Sequence, residues 1–96
     1  MIVAMMPTFG RPILLASAIA QFERQTHPDK RLIALDDSGL LPSTVGRDWA
    51  LVSIHQKMPT IVKKYQRLVE IATTLWPEWD SLALMDDDDV YASWWL

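Results

Sequence analysis

Ile2-Val3-Ala4-Met5-Met6, closed by Pro7, is apolar at every position. A strand with one solvated face alternates apolar and polar side chains, so an unbroken apolar run reads as a strand buried on both faces of a parallel sheet. Downstream, Pro12 suits the first turn of a helix. From Ile13 to Gln25, Leu15, Ala18, Ile19 and Phe22 fall at i, i+3, i+4 and i+7, which turns one apolar face toward a sheet and leaves Gln21, Arg24 and Gln25 largely off it. His27-Pro28-Asp29 breaks that helix, because the residue before a proline is pushed out of the helical region. Arg31 to Leu35 is a second apolar run ending in the turn formers Asp36-Asp37-Ser38-Gly39.

The later part of the chain repeats the pattern. Leu40 to Asp48, with Pro42, Ser43, Thr44 and Gly46, reads as a loop or an irregular short helix, and Ala50 to Ile54 as a short third strand. From Thr60 onward Ile61, Tyr65, Leu68, Ala72 and Leu75 recur at helical spacing, with Lys63, Lys64, Arg67 and Glu70 mostly on other faces. Trp76-Pro77 ends this helix, and Ser81 to Met85 is a fourth strand that runs into Asp86-Asp87-Asp88-Asp89. The expected fold is α/β, a Rossmann-like and mostly parallel sheet of about four strands with flanking helices, in a single domain over residues 1–96. Ligands of open sheets bind beyond the carboxyl ends of the strands, so Pro7-Thr8-Phe9, Asp36-Asp37 and the aspartate run are expected on one edge.

Composition narrows the function classes. The chain has 96 residues, half of them hydrophobic, and 9 basic against 12 acidic side chains give a net charge of −3. With a pI near 5.1 and no basic stripe, nucleic acid is not an expected partner. No apolar run is long enough for a membrane span and no signal peptide is evident, so the expected location is the cytoplasm. The absence of cysteine leaves oxygen and imidazole as the only metal ligands.

Four adjacent carboxylates repel one another, and a hard divalent cation, Mg2+ or Mn2+, relieves that conflict. The bland alternative is a solvated acidic turn, or caps for a helix starting near Ala92. Asp36 and Asp37 read either as turn residues or as acceptors for a ligand. His55 and His27 read as surface and turn residues, since neither has a partner at metal-binding spacing. Lys57 and Lys63 stand nearest the expected ligand edge, whereas Lys64 and Arg67 read as a solvated helical face. Of the five tryptophans, Trp94 and Trp95 have only Leu96 after them to provide cover. They are expected to dock back, to bind a partner (a second copy or a complementing acceptor-side segment) or to mark a truncation.

Ile2 to Pro12, Gln25-Thr26, Leu32 to Gly39 and the aspartate run with Val90-Tyr91 together resemble the N-terminal half of a family-2 glycosyltransferase with the GT-A fold. Such enzymes open with a strand, a Pro-Thr-aromatic-Asn-Arg turn and a helix ending in Ser-x-x-x-Gln. A strand ending in Asp-Asp-Gly-Ser follows, and later an Asp-x-Asp motif. The resemblance implies that Pro7 and Phe9 border a nucleotide base, that backbone groups of Thr8 help to hold it, and that Asp37 accepts from it with Asp36 close by. It implies that Asp86 or Asp87 faces the ribose and that Asp88, with Asp86, binds a metal bridging the diphosphate of a sugar donor, a UDP-sugar in the first instance. Independently of the resemblance, Lys63, near the start of its helix, is the cation expected to offset phosphate charge. Gly10 stands where the family has asparagine, and Ser93 where it has proline. Enzymes of this kind are much longer, so the expectation is a donor-binding half with the acceptor site and catalytic base absent. Two other readings compete: a non-catalytic remnant or interaction module working through the Trp-rich end, and a phosphatase of the haloacid-dehalogenase type with Asp86 as nucleophile. A calcium loop of the EF-hand kind fails, because Tyr91 stands where glycine is needed.

Overall fold

β1 (Ile2–Thr8) lies inside the sheet, paired in parallel on one side with β2 (Lys30–Asp36) and on the other with β5 (Ser81–Leu84). The structure is a computed structural model and describes residues 1–91 and 95–96. The expectations attached to Ala92, Ser93 and Trp94 therefore lie outside the described residues. Between β1 and β2 runs α1 (Pro12–Glu23); β3 (Thr44–Val45), β4 (Trp49–Ser53) and α2 (Ile61–Leu75) follow β2. The chain is α/β, with a five-stranded sheet in the order β3-β4-β2-β1-β5. All neighbours are parallel except β3 and β4, which pair antiparallel.

The apolar run that opens the chain is buried on both faces, as its lack of alternation predicts. Ala4, Met6, Leu32 and Ala34 pack with Leu15, Ala18 and Phe22 of α1, while Val3, Met5, Ile33 and Leu35 pack with Leu68 and Ala72 of α2. Successive residues of one strand thus feed opposite cores, and one helix covers each. Fully buried Phe22, Leu32, Ile33 and Leu35 each contribute roughly 1.5–3 kcal/mol relative to exposure.

Three local expectations are corrected. β1 does not stop at Pro7 but continues to Thr8 along β2. The Met5 carbonyl accepts from the Met85 amide on the β5 side, and Pro7 points to the same side as Met5, where pairing with β5 has already ended. The missing N–H of Pro7 therefore costs no ladder bond. The segment 40–48 holds the two-residue strand β3, set by the Gly46 amide donating to the Trp49 carbonyl at 2.9 Å. Finally, Gln21 and Gln25 are buried rather than off the apolar face of α1.

α2 begins where Thr60 accepts from the Lys63 amide at 3.1 Å, a side-chain N-cap. Its buried stripe is Lys64, Leu68 and Ala72; Ile61 and Leu75, at the ends of the apolar pattern, are about half exposed. Among the described residues no helix is long and apolar enough to cross a membrane.

Candidate functional site

The parallel strands β4, β2 and β1 step outward from the centre on one side, and α2 returns the chain to place β5 on the other. At β1 the strand order therefore reverses, and the crevice beyond the carboxyl ends opens between diverging connections. Phe9, Asp37 and the aspartate run meet there. One cavity of about 380 Å³ is lined by Phe9, Asp37, Lys57, Met58, Thr60 and Lys64. A second, of about 380 Å³, includes Pro7, Thr8, Arg11, Lys64, Asp86 and Asp88 in its lining. Phe9, Ile61 and Lys64 border both, so the two are halves of one cleft.

Lys64 is the residue that sequence reasoning misplaced furthest. Its side chain is buried, and its ammonium donates to Asp37 Oδ1 at 2.5 Å and to the Thr8 carbonyl at 2.6 Å. The other Asp37 oxygen accepts from the Met58 amide at 2.7 Å. Burial opposes the Asp37 charge, but Lys64 and the Met58 amide outweigh it and hold the carboxyl below the ordinary aspartate range. Lys64 lies in register with Leu68 and Ala72, and a stripe written 64-68-72 was the signal available in the sequence. Lys63, the expected cation, is exposed and lines neither half of the cleft. Lys57 and Lys64 stand 5.4 and 5.9 Å from the centroid of the Phe9 ring, which is 46% exposed. An open aromatic face between two cations favours a planar, electron-rich or anionic group.

Asp36 lies beneath the cleft, not in it. It has no exposed surface and accepts from the Gly10 amide at 2.9 Å, the Ser38 hydroxyl at 2.7 Å and the Ser53 hydroxyl at 3.2 Å. Burial raises its pKa, yet these donors prevail and the carboxyl is held low. Asp36 thus has a structural role, joining the loops after β1 and β2 to the end of β4.

Asp87 lines the second half of the cleft with Asp86 and Asp88, but its carboxylate is already engaged. It is buried, with Oδ2 accepting from the Thr8 hydroxyl at 2.7 Å and Oδ1 paired with Arg11 at 3.0 Å. Arg11 was not singled out from sequence, and only the fold brings it to the aspartate run. With Asp87 turned inward, Asp86, Asp88 and Asp89 each present an oxygen, and these oxygens lie within 4.8 Å of one another. Burial, and then repulsion from Asp89, Asp88 and Asp87, pushes the Asp86 carboxyl above the ordinary range. A cluster of hard, mutually repelling oxygens matches the donor set of Mg2+ or Mn2+. Asp89 is a member that the sequence reading did not assign.

The C-terminal segment returns over α1. The Tyr91 amide donates to Gln21 Oε1 at 2.7 Å, the Asp86 amide to the Tyr91 hydroxyl at 2.7 Å, and the Leu96 amide to Gln25 Oε1 at 2.9 Å. Trp95 packs on Tyr91 with ring centroids 4.6 Å apart and stays 42% exposed. In comparisons with known proteins, the chain matches no family model and no curated protein.

Proposed function

We propose that the chain is a Rossmann-like unit of the GT-A glycosyltransferase kind that binds a nucleoside-diphosphate sugar, a UDP-sugar by resemblance, and supplies the donor half of a sugar transfer. The observation that carries this reading is the cleft itself: an aromatic face with two cations near it in one half, and in the other Asp86 and Asp88, which cluster with Asp89. The reversal of strand order at β1 supports it, because open sheets take their ligands at that point.

In this reading the base lies against Phe9, with Asp37 accepting through a lone pair that Lys64 and Met58 leave free. The buried Lys64 charge stands between the two halves of the cleft, where a diphosphate would run. Asp86, Asp88 and Asp89 would hold Mn2+ or Mg2+, which when bound offsets the negative charge developing on a diphosphate leaving group. Asp87 takes no part as a ligand; with Arg11 and Thr8 it anchors the acidic loop to the end of β1.

Calorimetric titration of UDP into the chain, with and without Mn2+, tests the reading beside Asp88→Ala. Binding that requires Mn2+ and disappears in the variant is expected. Equal binding without metal, or no binding by a folded sample, defeats it.

A further inference from the structure

Gln21 is a polar residue on the buried face of α1, between Ala18 and Phe22, where packing alone calls for an aliphatic side chain. A buried carboxamide is costly unless both of its ends are bonded. Both are, and to the same short segment: Oε1 accepts from the Tyr91 amide at 2.7 Å, and Nε2 reaches the Asp89 carbonyl at 3.4 Å. Tyr91 in turn accepts the Asp86 amide on its hydroxyl at 2.7 Å. The chain from Asp86 to Tyr91 is thereby closed on itself by one bond and fastened to α1 by two more. These bonds fix the loop backbone against the mutual repulsion of its carboxylates, which by itself would spread them apart.

We infer that Gln21 is a positioning residue for a divalent-cation site: it holds the backbone of the 86–91 loop so that the carboxylates of Asp86, Asp88 and Asp89 converge, and Tyr91 is its relay. This rests on the proposed cation site. The physical reason is that ligand convergence must be prepared before the ion arrives, and a partner outside the ligand set prepares it at the smallest charge cost. A neutral amide does so without adding to the local repulsion, which a glutamate at the same position would increase.

The test is Mn2+ affinity, read from the electron paramagnetic resonance signal of the free ion, for the native chain, Gln21→Met, Tyr91→Phe, the double variant and Asp88→Ala. Gln21→Met keeps the volume and removes both bonds; Tyr91→Phe removes only the acceptor for Asp86. Each single variant is expected to weaken Mn2+ binding about tenfold, the scale of losses when a residue supporting a metal ligand is removed. The double variant is expected to lose less than the product of the two, because both act on one loop. Circular dichroism in EDTA at the titration temperature ensures that the folded fraction is compared. Native-like Mn2+ affinity in both variants overturns the inference while leaving the cation site standing. If Gln21→Met does not fold, Tyr91→Phe decides alone, and unchanged affinity there is fatal. No Mn2+ binding by the native chain removes the cation site itself, and the positioning role with it.

Discussion

Asp36 is charged and wholly enclosed, and everything around it donates: amides from Gly10 and Ser38, hydroxyls from Ser38 and Ser53. Its neighbour Asp37 is held by Lys64 and the Met58 amide. Both carboxyls titrate lower in the folded chain than in the unfolded one. Their stabilisation is therefore complete above the ordinary aspartate range and is lost as the pH falls through the lowered folded values. Urea unfolding followed from about pH 7 to about pH 3 should show a declining midpoint at the acid end. Asp36→Asn should flatten that decline and cost about 2–3 kcal/mol at neutral pH, because an amide cannot accept from donors on both sides. Of the two aspartates, Asp37 lines the cleft at the end of β2, the sheet edge where its strand-end position put it. The inward turn of Asp36 was not legible in the sequence, since it depends on Gly10 and Ser53 arriving from distant parts of the chain.

At the scale of elements, the loops after β1 and β2 depend on backbone shapes that only certain residues adopt. Gly10 and Gly39 have φ of 59° and 75°, in the left-handed region. Gly39 has a second constraint, because a Cβ there would lie 2.9 Å from His55 Nδ1 and 3.3 Å from His55 Cα. Gly39→Ala should destabilise the chain by about 1–2 kcal/mol from backbone strain alone, with more from the shift of His55. Chemical denaturation gives the value directly. The helices show the limits of periodicity. The α1 pattern found Leu15, Ala18 and Phe22 correctly, but it set Gln21 and Gln25 outside the core because it sorted residues by polarity. Those glutamines are buried because the C-terminal segment, far away in sequence, supplies their partners.

For the whole molecule, the charge of Asp86 in the aspartate run opposes folding. Repulsion and burial hold the Asp86 carboxyl above its ordinary pKa, so its charge is less welcome in the folded chain than in the unfolded one. Asp86→Asn is expected to raise the thermal midpoint in EDTA, and at the same time to abolish the gain that Mn2+ gives the native chain. A native chain whose midpoint does not respond to Mn2+ would count against the cation site. A variant less stable than the native chain in EDTA would count against the repulsion. Trading stability for a charged cluster is the expected signature of a binding site rather than of a cap.

Most of the architecture was decided by local chemistry. The unbroken apolar runs of β1 and β2 are strands covered on both faces, helical spacing marks the elements that cover them, and prolines and turn formers mark where most of them end. The arrival of three acidic or aromatic segments at one sheet edge follows from parallel strands joined by right-handed crossovers, and needed no coordinates. Only the tertiary structure decided which charged groups are used inside. Lys64 rather than Lys63 faces the cleft, Asp36 and Asp87 serve the scaffold, and Asp86, Asp88 and Asp89 are left to converge. A polar side chain's role depends on which partner reaches it across the fold, and that partner is invisible to any pattern of neighbours along the chain.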